Sequence, residues 1–196
     1  MNPRRLSQRI SEGDGISVIV EVDGPEAARD AEDAGAEGLV IPDTARAQLP
    51  SIRGATGLPI AAVFGGGAPV GSIDGADACI VDVSDDEREP LERVQRELGE
   101  GFELAFRIVT EEHLEFVLEE FDPEILVLAA PIDDRAPLER VLELLPDVPA
   151  GKLAIADVGA RSRAEVEELE RAGVDGVIVA AAADVAELVI AAPPEV

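Results

Sequence analysis

The chain of 196 residues has no tryptophan and no tyrosine, one cysteine (Cys79), one histidine (His113) and, among 16 basic residues, one lysine (Lys152). A single cysteine cannot close an internal disulfide. Cys79 lies between Ala78 and Ile80 in an apolar run and reads as core filler. His113 falls in the first turn of a helical stretch, where it reads as a solvated side chain. Phenylalanine supplies the only aromatic rings, five of them, so the core must be assembled from Val, Ile, Leu and Ala. No apolar run reaches the roughly 20 residues that a membrane span needs. Arg4, Arg5 and Arg9 are not followed by the apolar stretch of a signal peptide. Residues 1–15 read instead as a short N-terminal helix or arm, with Leu6 and Ile10 turned inward.

Positive charge is equally scarce: 42 acidic residues outweigh the basic ones, for a net charge of −26. Such a field repels phosphodiester backbones and anionic lipid, so neither nucleic acid nor membrane is an expected partner. A small-molecule ligand fits better, with the cytoplasm as the default location. The acidity suits a salt-rich cytoplasm, where repulsion is screened within a few Å. A mesophile with an acidic surface is the alternative.

What the chain does have is cadence. Short β-branched runs at Ser17–Val22, Gly38–Ile41, Pro59–Phe64, Ala78–Val83, Glu103–Val109, Ile125–Ala129, Leu153–Asp157 and Gly176–Val179 read as strands. They are apolar on both faces, as strands of a parallel sheet are. Amphipathic helical stretches lie between them, most clearly Pro25–Ala34, Glu87–Leu98, Glu111–Glu120, Pro137–Leu145 and Arg163–Ala172. Thr110 reads as an N-cap, and Ser162 with Glu165 as a capping box. The tetrads Gly35-Ala36-Glu37-Gly38, Gly75-Ala76-Asp77-Ala78 and Gly173-Val174-Asp175-Gly176 repeat one αβ corner, with a left-handed glycine past each helix end. Eight evenly spaced strands favour a closed barrel over an open doubly wound sheet. The expectation is an α/β fold: a compact, single-domain (β/α)8 TIM barrel over residues 16–196 with short βα loops.

Function in such a barrel sits where strands end. Glu21, Asp23, Asp43, Asp82, Arg107, Asp133, Asp134 and Asp157 fall there. Glu21 and Asp23, two apart, face one way on a strand, and the expected direction is into the mouth. Converging carboxylates raise one another's proton affinity and can serve as acid and base. They can also hold Mg²⁺, which keeps most of its waters. The plainer alternative is a structural network in which Arg107 neutralises Glu21 and Asp157. Lys152 precedes its strand, the wrong end for Schiff-base chemistry. Gly65-Gly66-Gly67 is a weak phosphate-loop signal. Gly159, Arg161 and Ser162, a glycine and a cation at a helix N-terminus, form the stronger anion cradle. No interface signature fixes an oligomer, although the apolar stretch Val185–Val196 could support a dimer.

The segment Leu153-Ala-Ile-Ala-Asp-Val-Gly-Ala-Arg-Ser-Arg-Ala-Glu-Val, followed by Arg171-Ala-Gly-Val-Asp-Gly-Val-Ile-Val, resembles the indole-3-glycerol-phosphate synthase family. That family carries a Glu-Ser-Gly-Ile turn, Thr-Arg-Glu-Asp-Val and Ala-Gly-Ala-Asp-Ala-Val-Leu-Val-Gly. Val20-Glu21-Val22-Asp23 resembles its first strand, and Phe102 to Thr110 its fifth. The resemblance implies a phosphate-binding barrel of lyase ancestry. The family's two lysines would fall at Asp23 and Val63, its strand-five glutamate at Arg107, its strand-six asparagine at Ala129 or Ala130, and its strand-eight Gly-Glu at Ala180-Ala181. Asp23 and Val63 cannot act as lysine does toward a developing anion. The expectation is therefore a divergent barrel without the ordinary synthase reaction, binding a small phosphorylated ligand at the strand C-terminal face. Two alternatives stand beside it: a carboxylate- or Mg-dependent lyase or isomerase acting on a small metabolite, and a non-catalytic structural barrel. An enzyme here would use Glu21, Asp23 and Asp157 as acid, base or ligand, with Arg107 as electrostatic clamp.

Overall fold

The computed structural model describes residues 6–13, 15–64, 73–83, 94, 96, 102–131, 133–180 and 183–189. Eight parallel strands close on themselves in sequence order. They are β1 (Ser17–Glu21), β2 (Gly38–Ile41), β3 (Ile60–Phe64), β4 (Ala78–Asp82), β5 (Glu103–Ile108), β6 (Ile125–Ala129), β7 (Leu153–Asp157) and β8 (Gly176–Ala180). Around them run α1 (Leu6–Ser11), α2 (Pro25–Asp33), α3 (Leu49–Arg53), α4 (Glu111–Glu120), α5 (Pro137–Leu144), α6 (Arg163–Ala172) and α7 (Val185–Leu188), with 3-10 turns at Asp43–Gln48 and Leu145–Asp147. The (β/α)8 barrel read from the sequence is the fold. Apart from residues 94 and 96, the helical stretch expected at 87–98 lies outside the described residues, as does the glycine loop 65–69. Among the described residues no helix is long and apolar enough to cross a membrane.

Alternation along each strand sends every second side chain into the barrel. The inner set is Ile19, Val40, Ala61, Val63, Ala78, Ile80, Ala105, Ile125, Val127, Ile155 and Ile178. The intervening residues pack outward against the helices in a second, larger cluster that includes Val18, Leu39, Phe106, Leu126 and Val177. Bulky inner residues on some strands face alanines on β3, β4 and β5, so the interior fills without aromatic rings. Helix α1 seals the N-terminal end, with Leu6 and Ile10 buried against the inner set. Glu103, the first residue of β5, accepts the Leu6 N–H at 2.6 Å and also bonds Ser7. A carboxylate at a helix start satisfies donors that the helix itself leaves unpaired. Gly38 makes room for the plug, since a Cβ there would meet Leu6 Cδ1 at 3.0 Å.

The repeated tetrads have a shared mechanical role. Gly35, Gly75 and Gly173 all take positive φ, 94°, 99° and 96°, conformations that side-chain-bearing residues adopt only with strain. The acid two residues later then turns back toward the neighbouring strand. Asp77 Oδ2 accepts the Ile60 N–H at 2.9 Å and Arg53 at 2.7 Å. Asp175 Oδ2 accepts the Ala154 N–H at 2.7 Å. In both cases the backbone N–H of the same Asp bonds the carbonyl of that same neighbouring residue, Ile60 or Ala154. Each aspartate thus brackets the start of the strand beside its own and fixes the register there. Glu37 keeps only the backbone half, to Val18, and its side chain pairs with Arg9 at 3.6 Å.

Removing either bracketing carboxylate leaves a strand-start amide without its partner. Asp77→Ala and Asp175→Ala should each lower unfolding free energy by about 1–3 kcal/mol in denaturant titration, while Glu37→Ala changes it little. Wild-type midpoints for both aspartate variants would show that the brackets do not hold the strands.

Candidate functional site

The C-terminal mouth is built by the last inward-facing residue of each strand. Continuing the inner alternation past Ile19, Ile80, Ala105, Val127, Ile155 and Ile178 places Glu21, Asp82, Arg107, Ala129, Asp157 and Ala180 in one ring. Strand pairing sets the neighbours: Asp82 stands beside Arg107, Asp157 beside Ala129, and Glu21 beside Ala180. Of the expected site residues, Glu21, Arg107 and Asp157 are therefore brought together. Asp23 lies just beyond the end of β1, exposed, and acts on Glu21 through its charge.

Arg107 organises this ring. Its Nη1 donates to Asp82 Oδ1 at 2.8 Å, and its Nη2 reaches Asp157 Oδ2 at 3.0 Å. Of the two partners that the sequence gives Arg107, Asp157 is in contact, whereas Glu21 feels only its charge and Asp82 takes the second contact. Parallel register explains this, because Asp82 and Arg107 stand at the same rung of adjacent strands, whereas Glu21 is on the far side of β8. Asp82 stood among the strand-end acids in the sequence, and counting four residues from the starts of β4 and β5 would have paired it. A second cation, Arg46 on the Asp43–Gln48 turn, is buried outside the ring. It bonds Asp43 and the Val63 carbonyl (3.1 Å) and lies 5.5 Å above the Phe64 ring, steadying the end of β3.

The ring alters proton affinity. Burial pushes the Asp157 carboxyl up; the Arg107 charge and hydrogen bond pull against it, and Asp82 adds to the rise. Glu21 is also raised, by burial first and then by the Asp157 carboxylate, with Arg107 opposing and Asp23 adding. Outside the ring, burial pushes the Cys79 thiol up to about 12, so it is an inert core residue.

The remaining expected residues have other engagements. At the start of α6, Glu165 Oε2 accepts the Arg161 N–H (2.9 Å), the Ser162 N–H (3.0 Å) and the Ser162 hydroxyl (2.9 Å). The Arg161 and Ser162 backbone N–H groups and the Ser162 hydroxyl are thus taken by the chain's own carboxylate, whose pKa is lowered as a result. Gly159 takes the left-handed conformation, φ 63°. His113 is buried rather than solvated, because α4 turns that face onto the barrel. Lys152 sits at the opposite end, bonded to Asp122. No group of three or more His, Cys, Asp or Glu side chains among the described residues is placed to hold a metal.

No protein-family model and no curated protein matches the chain. Solved structures do. A crystal structure of oxaloacetate acetylhydrolase aligns with TM-score 0.69 and 16% identity, covering 92% of this chain and 81% of the other. Its complex with the inhibitor 3,3-difluorooxalacetate aligns with TM-score 0.66 and 14% identity, over 90% of this chain and 79% of the other. The complex with the product oxalate gives 0.67 and 14%, over the same shares of 90% and 79%. At these identities the likeness is one of fold. The resemblance to indole-3-glycerol-phosphate synthase is overturned, since these three aligned structures are of a different enzyme. The segments that carried it explain the error. Gly173 and Asp175 form a strand bracket, and Ser162 with Glu165 caps a helix, so these residues build a barrel rather than a synthase site.

The raised Glu21 predicts a pH-dependent stability difference. A carboxyl whose folded pKa lies above its unfolded value stabilises fully below the unfolded pKa, and that contribution is lost as pH rises through the folded one. Glu21→Gln should match wild type below the ordinary value of 4.5 and become the more stable of the two as pH rises above it. Denaturant midpoints at acid and neutral pH read this directly. A variant less stable than wild type at neutral pH would contradict it.

Proposed function

We propose that this chain is a lyase- or isomerase-type enzyme that moves a proton on a small metabolite with carboxyl groups in place of lysine or histidine. The observation that carries this reading is the pairing of two carboxyls of raised proton affinity, Glu21 and Asp157, in a mouth that also holds one guanidinium. A catalytic acid or base works best when its pKa is drawn toward the operating pH. Glu21 is the more accessible and takes the role of proton acceptor. Asp157, held by Arg107, returns the proton or orients the ligand. Arg107 faces the oxygen on which negative charge develops when a bond beside a carbonyl breaks. Asp23 adds negative charge that keeps the Glu21 proton affinity high.

The likeness of fold to oxaloacetate acetylhydrolase supports small-metabolite cleavage over phosphate-ester chemistry, since that enzyme is seen with oxalate as its product. Mg²⁺ is compatible with the carboxylates rather than demanded by them. Asp157 and Glu21 would be its protein ligands, and it would supply Lewis-acid polarisation of a ligand oxygen.

The test is a turnover screen of small 2-oxo acids and hydroxyketones for carbon–carbon cleavage and isomerisation, with and without MgCl2. Glu21→Gln and Asp157→Asn should each reduce kcat by about 10²–10⁴-fold while the circular dichroism spectrum is unchanged. Wild-type turnover in both variants would remove the carboxyls from the chemistry. A wild-type chain inert to every substrate would favour a structural barrel.

A further inference from the structure

Resting on the reading of the mouth as a ligand site, the charge balance there narrows what the ligand can be. A cavity of about 380 Å³ opens above β6, between the Arg107 and Asp157 rungs. It exists because β6 contributes only Ala129 to the ring. Ala129, Ala130, Val83 and Val109 give it apolar walls, and Arg107, Asp82 and Asp157 give it a polar side. That volume is near the small end for metabolite pockets, which run from about 300 to 1,000 Å³.

Three features of the polar side bear on the ligand. The guanidinium carries five N–H donors; one on Nη1 bonds Asp82 and one on Nη2 meets Asp157, which leaves the second N–H of each terminal nitrogen, the Nε being fully buried and beyond a ligand's reach. Arg107 therefore has donor capacity left for a ligand oxygen. Asp157 meets it through Oδ2, which leaves carboxylate lone pairs free to accept a ligand hydroxyl. Finally, one positive charge stands against two carboxylates in contact, with Glu21 and Asp23 close by. An anionic ligand accepting from those N–H groups adds negative charge to a ring where two carboxylates in contact already outweigh the one cation, and the repulsion opposes its binding. A neutral ligand has no such conflict: its carbonyl accepts from the spare guanidinium N–H, and its hydroxyl donates to Asp157.

We infer that the cavity takes the uncharged hydroxycarbonyl end of a small polyol-type metabolite, and that it discriminates against oxoacid anions unless a cation accompanies them. This separates the chain from the solved structures it resembles in fold, one of which holds oxalate.

Calorimetric or NMR titration of the full chain in EDTA, at fixed ionic strength, decides the matter with four probes: dihydroxyacetone, glyceraldehyde, oxalate and oxaloacetate. The neutral trioses should saturate, and the two anions should bind at least about tenfold more weakly. Asp82→Asn removes one competing charge and loosens one guanidinium N–H, so it should shift the preference toward oxalate by a comparable factor. Asp82 is half exposed, 50% at its side chain, so this variant is expected to fold. Anions binding as tightly as the trioses in EDTA would overturn the inference, as would trioses that do not bind. The carboxyl proton-transfer reading stands or falls separately, on the turnover of Glu21→Gln.

Discussion

Closure of the barrel is the constraint on which everything else in this protein depends. Once eight parallel strands return to the first, each must place alternate residues inside, and the last inward residues are forced to share one ring. Glu21, Asp82, Arg107 and Asp157 come from four different quarters of the chain, and no local sequence signal joins them. Their meeting follows from register alone. A slip of one residue in any of these strands would turn its charged group outward and an apolar residue into the mouth. The aspartate brackets at Asp77 and Asp175 therefore bear on the chemistry of the mouth, although they lie at the other end of the barrel.

The ring also shows how a strongly acidic chain spends its few cations. Arginines at 46, 53, 107, 140 and 163 each pair with an acid. The exposed pairs, such as Arg163–Glu167, contribute little, since solvent screens them. Arg107 is different because it is the cation shared by two carboxylates in the mouth, one of them mostly buried. Its removal would leave the Asp82 and Asp157 charges facing one another across the mouth without a cation between them.

Much of the fold was legible in the sequence. Strands β2, β6 and β7 and helices α4 and α6 fall where the apolar runs and caps put them, because parallel strands buried on both faces leave uninterrupted β-branched stretches. The glycine-acid tetrads announced the left-handed corners. Helix α3 and the Asp43–Gln48 turn were not foreseen. They carry no side-chain cap; the turn packs against β3, and α3 packs against α2 and the turn. The site was legible in part. Strand ends pointed to Glu21, Arg107 and Asp157, whereas the Arg107–Asp82 pairing needs register. The cradle at Arg161 and Ser162 shows the converse: the same capping box that marked the helix start also commits its backbone N–H groups to Glu165. Family likeness misled for a related reason. Corners and caps that any such barrel requires look specific when read as a string.

The N-terminal plug carries a consequence for the order of assembly. Leu6 meets its carboxylate across 97 positions of chain, and its seat at Gly38 belongs to another strand. The helix precedes every strand of the barrel in the chain, yet it has nowhere to dock until β5 has joined the sheet. Contacts of such long range are bought late, after the loops between them have closed. Helix α1 thus behaves as a keystone, made before the strands it closes and among the last elements to be set.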